Sequence, residues 1–334
     1  MEKVIQEEKR RGPSTGLVLG KFLPPHQGHR YLIDFARNWV DHVTVVVGTL
    51  AAEPIPGELR FQWMREMFPD LNVLHLTDEN PSYPEEHPDF WDIWRDSLLR
   101  LVPDGVDYLF ASEDYGYKLA EVIGATYVPV DHGRELVPVS GSQIRQSPMR
   151  YWKYLPDCVR PYFVKRVCIC GAESVGKSVL TKNLAAHFDT VYATEYARPL
   201  LALQNDEVYP QDIPRIARGH IASENALECQ ANRVLICDTD VITTTIWSDI
   251  LFGGCPEWIL EEADRRHYDL HIMLDTDVPF VDDPQRFLKD EREALKQRFI
   301  DELEKRNRRY VIVGGDWQQR FDQSVALIEE LLRD

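Results

Sequence analysis

The sequence lacks most of what would direct a protein to a membrane, a nucleic acid or an oxidising compartment. No uninterrupted apolar run in its 334 residues approaches the length of a bilayer-spanning helix. The opening stretch MEKVIQEEKRRGPST has no apolar segment of the signal-peptide kind and reads as a polar arm. Basic residues are short relative to acidic ones: 38 Lys and Arg against 55 Asp and Glu give a formal net charge of −17. That balance excludes the broad basic surface needed for general binding to nucleic acid or anionic lipid. The six cysteines, Cys158, Cys168, Cys170, Cys229, Cys237 and Cys255, form no zinc-type CxxC pair. Several lie in apolar, strand-like runs, where a reduced thiol packs as a small hydrophobe. There is no short-period repeat and no low-complexity tract. What the chain does have is a 44% hydrophobic and 10% aromatic composition, enough for a sizeable core. Its length suits two domains, and the expected compartment is the cytoplasm.

Runs rich in Val, Ile and Leu alternate with helical patterns, the signature of α/β architecture with parallel sheets. Strands are expected at Leu17–Leu19, Val43–Val47, Val73–Leu76, Tyr108–Ala111 and Tyr127–Pro129. Tyr31, Leu32, Phe35, Ala36 and Trp39 follow the helical template between the first two. DENPSYPEEHPDFWDIWRDSLLRLVPDG reads as a proline-rich loop leading into another helix. The pattern breaks at YWKYLPDCVRP and restarts with a strand at Arg166–Cys170, so the boundary is expected around Pro161. This gives a polar arm (1–15), a first domain (16–160) and a second domain (161–334). Later strands are expected at Val234–Cys237, Leu270–Leu274 and Tyr310–Val313, with a final helix over Phe321–Leu332.

Two turns carry chemistry. In GKFLPPHQGH, Lys21, His26 and His29 stand where a strand hands over to a helix, the place where α/β sheets bind ligands. Imidazoles three residues apart on a first turn face one way and can hold phosphate oxygens; they also fit ordinary loop and helix-cap positions. In context, GKFLPPHQGH matches the GxFxPxHxGH motif of the nucleotidyltransferase superfamily. VSGSQIRQS resembles its ISxTxIR motif, with Ser142 in place of the commoner Thr, and FASEDYG resembles its SExYG stretch. The first domain therefore resembles nicotinamide mononucleotide adenylyltransferases, which implies a Rossmann-like fold. It also implies catalytic roles for Lys21, His26 and His29, and ATP contacts from Gly20, Phe22, Gly28, Ser112, Glu113, Ser140, Ser142 and Arg145. Gly57 to Arg60 resembles the version in archaeal and bifunctional bacterial enzymes, which brings in Arg60. A flat cationic nicotinamide prefers an aromatic face. Trp94 is the favoured stacker and Trp91 the other candidate, although their spacing also suits core packing. Other acceptors used in the superfamily, such as flavin mononucleotide, stay open.

The second turn is GAESVGKS, a full phosphate-binding loop between a strand and a helix. Gly171, Ala172, Glu173, Ser174, Val175, Gly176, Lys177, Ser178 and Val179 would surround the triphosphate, with Ser178 on Mg²⁺. After Ser178 neither the DxxG nor the NKxD signature of a GTPase occurs. VLICDTD ends a strand in Asp238 and Asp240. Asp238 is the expected metal-shell carboxylate; Asp240 fits an acceptor-orienting role or a helix cap equally well. Arg286, Lys289, Arg292 and Lys296 fall on one face of a helix, either solvated or closing as a lid over ATP. ATEYAR, CDTD and VPFVDDPQR resemble the ribosylnicotinamide kinase domain of a bifunctional bacterial adenylyltransferase/kinase, whose kinase half has a P-loop NTPase fold. The resemblance places Glu195, Tyr196 and Arg198 near the nucleoside or phosphates, and Asp282 and Asp283 near the lid hinge; the strand end and the basic stripe add Asp240 as a substrate candidate and Arg286 as an ATP contact.

The resemblance implies a bifunctional salvage enzyme. One half phosphorylates nicotinamide riboside; the other joins nicotinamide mononucleotide to the AMP moiety of ATP, giving NAD and pyrophosphate. Mg²⁺ would serve both, with ATP as a substrate in each half. Fifteen polar residues cannot form the helix-turn-helix repressor domain of some relatives, so no nucleic-acid partner is expected. The reading accommodates coupling to a riboside transporter without membrane insertion, and a homo-oligomer. Against it stand the same two domains acting on another acceptor, such as a flavin, and a sensor that binds NAD or ATP with one weak catalytic domain.

Overall fold

The computed structural model describes residues 12–282, 285 and 288–333. The chain divides into two compact units, Met1–Val159 and Arg160–Asp334. Each is an α/β body built on a five-stranded parallel sheet. Among the described residues no helix is long and apolar enough to cross a membrane.

The first unit runs β1 (Thr15–Gly20), α1 (Gln27–Arg37), β2 (His42–Gly48), α2 (Gly57–Met67), β3 (Asn72–Leu76), α3 (Phe90–Leu101), β4 (Tyr108–Ala111), α4 (Tyr115–Ile123), β5 (Thr126–Pro129) and α5 (Gly141–Gln146). Its strand order is β3-β2-β1-β4-β5. Alternate residues of the central strands serve opposite cores. Val18, Val45 and Val47 pack with Ile33, Ala36 and Met64, whereas Leu17 and Val46 pack with Leu98, Leu109 and Leu119. Burial on both faces is why these strands read as unbroken apolar runs. The chain leaves β1 toward β2 and leaves β4 toward β5, so the order reverses between β1 and β4. A crevice opens at their carboxyl ends.

Two local expectations change. Trp39 lies beyond α1, which closes at Asn38; its side-chain amide donates to the Asp34 carbonyl at 2.8 Å. Trp39 is half exposed and stacks on Phe35. Trp91 and Trp94 sit on α3 itself rather than on a loop.

The second unit runs β6 (Lys165–Gly171), α6 (Lys177–His187), β7 (Tyr192–Ala193), α7 (Ala197–Ala202), α8 (Asp212–Glu228), β8 (Val234–Asp238), α9 (Val241–Phe252), α10 (Glu257–Arg265), β9 (Leu270–Leu274), α11 (Arg292–Lys305), β10 (Tyr310–Val313) and α12 (Trp317–Leu331). Its strand order is β10-β9-β6-β8-β7. β8 and β9 are buried along their whole length, flanking β6. β7 is two residues long, too short to show any periodicity in the sequence. The basic stripe does not share one helical face, because Lys289 belongs to a 3-10 turn and Arg292 opens α11. Asp283 and Arg286 lie outside the described residues.

One buried cation organises this unit. Arg320 of α12 is 1% exposed. It donates to the carbonyls of Gly315 (2.8 Å), Val175 (3.0 Å) and Asp275 (3.0 Å), and pairs with Asp277. It thereby ties the loop after β6, the exit of β9 and the turn after β10 to one guanidinium. Removing it strands these carbonyls and Asp277. Arg320→Met is expected to destabilise the second unit by about 3 kcal/mol, read by urea denaturation; wild-type stability would disprove the strut.

Candidate active sites

In the first unit the chain leaves β1 at Gly20 and enters α1 at its N-cap, His26. His26 Nδ1 accepts the Gly28 N–H at 3.1 Å, and His29 Nδ1 accepts the His26 N–H at 3.2 Å. These bonds make a capping box with imidazoles where Ser and Glu usually stand. The cap fixes the chemistry. With Nδ1 accepting, each neutral ring must carry its proton on Nε2, leaving one N–H donor per ring for a ligand. The rings stack at 3.7 Å between centroids, and Phe22 closes on His29 edge-on. Burial, then Arg134, brings His26 down to about 4. Burial, then His26 and Arg134, holds His29 well below the usual imidazole value. Both are neutral donors at physiological pH.

The rings open onto a cavity of about 930 Å³, near the upper end for small-molecule sites. It gathers Gly20, Lys21, Phe22 and Gly28 from the first motif, Ser112 and Glu113 from the end of β4, and Ser140, Ser142 and Arg145 from α5. Ser140 caps α5, accepting the Gln143 N–H at 3.2 Å, while the Gln143 side chain accepts the Ser140 N–H at 2.8 Å. Arg145 donates to Ser142 Oγ at 3.1 Å and to the Leu23 carbonyl, 122 positions earlier in the chain. A Cβ on Gly141 would collide with that same carbonyl, so glycine is required there for the two motifs to meet.

Trp91 and Trp94 both line this cavity and also pack against the core. Trp94 Nε1 donates to the Pro81 carbonyl at 3.0 Å, and Trp91 meets Phe90 edge-on. Arg60 departs from expectation: it does not line the cavity. It is fully buried, donating to the carbonyls of Ile55 (3.1 Å) and Lys21 (2.6 Å) and pairing with Glu53. Its donors are spent on the loop backbone, so it positions Lys21 from behind. Lys21 Nζ in turn lies 3.0 Å from Glu53 and 3.0 Å from Ser82 Oγ. Arg134 was not expected. It lines the cavity and pairs with Glu113, yet the polar turn DHGREL gives no motif to mark it.

In the second unit, the loop from Gly171 to Ser178 uses positive φ at Gly171 (131°), Ser174 (60°) and Gly176 (89°). Gly176 caps α6 without a side chain, leaving the first amides of that helix without a side-chain partner. Lys177 Nζ spans the loop, donating to the Gly171 (3.2 Å) and Ala172 (2.9 Å) carbonyls. Two loop side chains are tied to the chain beyond β9. Ser174 Oγ accepts the Val281 N–H at 2.7 Å, Glu173 accepts the Leu288 N–H at 2.9 Å, and Val179 is exposed on α6.

Asp238 ends β8 beside β6, with Ile169 as its register partner. It is buried, and its Oδ1 has no hydrogen-bond partner among the described residues. Burial, then the nearby Glu195 carboxylate, raises its pKa, while Lys177, Ser178 and Arg198 oppose the rise. An unpartnered carboxylate oxygen beside the Ser178 hydroxyl is the hard-oxygen donor set that fits Mg²⁺.

A narrower cavity of about 110 Å³ adjoins the loop. Gly171, Glu173, Ser174 and Lys177 line one side, and Glu195, Tyr196 and Arg198 another; Glu195 and Arg198 pair at 3.1 Å. Asp240 does not line it. It caps α9, accepting from the Thr243 N–H (2.9 Å) and Oγ1 (3.0 Å), and pairs with buried His271 at 3.0 Å. Of its two readings, the helix cap is the one this geometry shows. Arg292 donates to the Val278 carbonyl at 2.8 Å through Nη1, and Lys296 pairs with Asp275 after β9. Sequence reasoning missed the α8 and α9 residues that wall this cavity, among them His220, Thr243 and Trp247. VITTTIW reads simply as a buried helix.

Residues 166–320 match a family model described as an AAA domain. The chain is 32% identical over 351 residues to the trifunctional NAD biosynthesis/regulator protein NadR of Escherichia coli K12, covering 98% of this chain and 85% of that protein. The chain belongs to the NadR family. The protein of the same description from Salmonella typhimurium LT2 is 31% identical over 350 residues, with the same coverage. A NadR crystal structure in complex with NAD and AMP-PNP superposes with a TM-score of 0.79 at 21% identity, and one in complex with NR with 0.78 at 22%. Each covers 96% of both chains. The two-unit fold is therefore that of NadR proteins.

The depressed imidazoles give a pH signature. His26 has a folded pKa of about 4 against an ordinary 6.5, so the unfolded chain binds protons more readily. Stability should be complete above 6.5 and fall as pH drops toward 4. His26→Asn keeps a cap acceptor and should shrink this loss. Thermal unfolding at neutral pH and at about pH 5 checks this; parallel profiles for both proteins would refute it.

Proposed function

We propose that the two units catalyse consecutive steps of NAD formation, and that ATP is a substrate of each. The second unit phosphorylates nicotinamide riboside: the ribose 5′-hydroxyl attacks the γ-phosphorus of ATP, the bond to the β-phosphate oxygen breaks, and ADP leaves. Lys177 and the open amides of α6 hold the triphosphate. Ser178 and Asp238 would hold Mg²⁺, which when bound offsets the charge of the phosphates.

The first unit takes the resulting mononucleotide. Its phosphate attacks the α-phosphorus of a second ATP, and pyrophosphate leaves as NAD forms. The two Nε2–H donors of His26 and His29 stabilise the charge that builds on the phosphate oxygens, with Lys21, Arg134 and Arg145 supplying positive charge around the cavity. No protein nucleophile is involved; positioning and electrostatics do the work. Trp91 and Trp94 offer aromatic surface to the pyridinium ring.

One observation carries this reading. Each unit has its own phosphate grip at the carboxyl end of a central strand, with a separate cavity beside each grip for an acceptor. The role in NAD biosynthesis of the Escherichia coli relative supports it. Lys177→Ala should lower NAD formation from the riboside by about a hundredfold or more and leave formation from the mononucleotide intact. His29→Ala should do the converse and stall at the mononucleotide. Chromatographic assay of both variants on both substrates decides; equal loss of both activities in both variants would overturn the division of labour.

A further inference from the structure

We propose that His220 binds the sugar of the nucleoside acceptor in the second unit, presented by a buried polar cluster directly behind it. This rests on the kinase reading above and adds to it a residue that no motif marks.

α8 turns Ile213, Ile216 and His220 toward the narrower cavity, at the spacing of one helical face. One turn further on, Glu224 is fully buried, with one oxygen 2.9 Å from His220 Nε2. Glu224 also accepts from Tyr268 (2.6 Å) and Arg266 (2.6 Å), both buried, and Arg266 reaches Asn225 at 3.1 Å. Sequestering a carboxylate, a guanidinium and an imidazole from water is costly, and an apolar trio would pack the same space without that cost. Of His220, Glu224, Arg266 and Tyr268, only His220 lines the cavity. The cluster therefore has one outlet, and it faces the acceptor.

The lining tells which part of the acceptor lies there. Leu201, Ile213, Ile216, Trp247 and Leu251 form an apolar wall suited to a flat base. Lys177, Glu195, Thr239 and Thr243 form the polar part, beside the phosphate loop and the end of β8. His220 is the hydrogen-bonding side chain that α8 adds to this lining, and a sugar hydroxyl, unlike the face of a flat base, can bond an imidazole nitrogen. The sugar bearing the attacking hydroxyl has to sit here. With Nε2 against Glu224, Nδ1 is the nitrogen left for a sugar oxygen.

The charges around the ring set its proton. Burial pulls the His220 pKa down and Arg266 adds to that, but Glu224 and Asp240 outweigh both and the pKa is raised. Tyr268 stays protonated, held well above its ordinary value by burial and then Glu224, and His271 faces Asp240. Across the cavity stand Glu195 and Arg198, paired with each other, and Lys177. A raised imidazole pKa means the donor form is present at lower pH and is lost as pH rises through it.

The test is steady-state phosphorylation of nicotinamide riboside by the full chain. In the wild type the KM for riboside should rise on the alkaline side while the KM for ATP holds. His220→Gln should raise the riboside KM by about tenfold, leave the ATP KM unchanged and abolish the alkaline rise. Glu224→Gln should move that rise to lower pH. A riboside KM in His220→Gln equal to wild type, or a Glu224→Gln profile superposing on wild type, overturns the proposal. So does a wild-type riboside KM that is flat from about pH 6 to about pH 9, which needs no variant to fold. A wild type that fails to phosphorylate the riboside at all refutes the kinase reading instead.

Discussion

The chemistry of this molecule sits where a doubly buried parallel strand gives way to a helix whose first amides need partners. A strand such as β1 or β6 can leave its sheet only at an end, and the following helix begins with N–H groups that the helix itself cannot satisfy. The two units answer this differently. α1 has some of its early donors occupied by imidazole nitrogens, and the same bonds aim the opposite ring nitrogens at the cavity. α6 starts from a glycine cap that occupies none, which leaves the amides to a phosphate. One geometric need has two structural answers, an imidazole cap and an open glycine cap.

Behind each grip lies a buried arginine. Arg60 donates to the Lys21 carbonyl and Arg320 to the Val175 carbonyl, each reaching a phosphate-facing loop from the core side. A guanidinium carries five donors in a fixed plane, so it can fasten several carbonyls at once where lysine could not. Each loop is then held in shape by the protein, and ligand binding need not be spent on ordering it.

Legibility in the sequence followed how local the cause was. The central strands of both sheets showed as apolar runs because both their faces are buried, two-residue β7 did not show, and the phosphate-loop motif showed because its glycines at Gly171 and Gly176 take positive φ. Arg60 looked like a ligand contact because its burial depends on α2 packing behind the β1 loop, which no short window reveals. Asp240 was balanced between cap and substrate residue, and His271, 31 positions away in the chain, goes with the cap. Trp39 continued a helical pattern that Asn38 had already closed. Arg134 and His220 reach their cavities from a turn and from a helix that carry no motif, so only tertiary structure brings them in.

The bond from Arg145 to the Leu23 carbonyl has a consequence for biogenesis. The loop that holds the histidines leaves the ribosome 122 residues ahead of the side chain that fastens it, which arrives only with the last helix of that unit. A nascent chain shorter than this therefore has the imidazoles but not the finished pocket, and nucleotide capture has to wait for the whole unit to close.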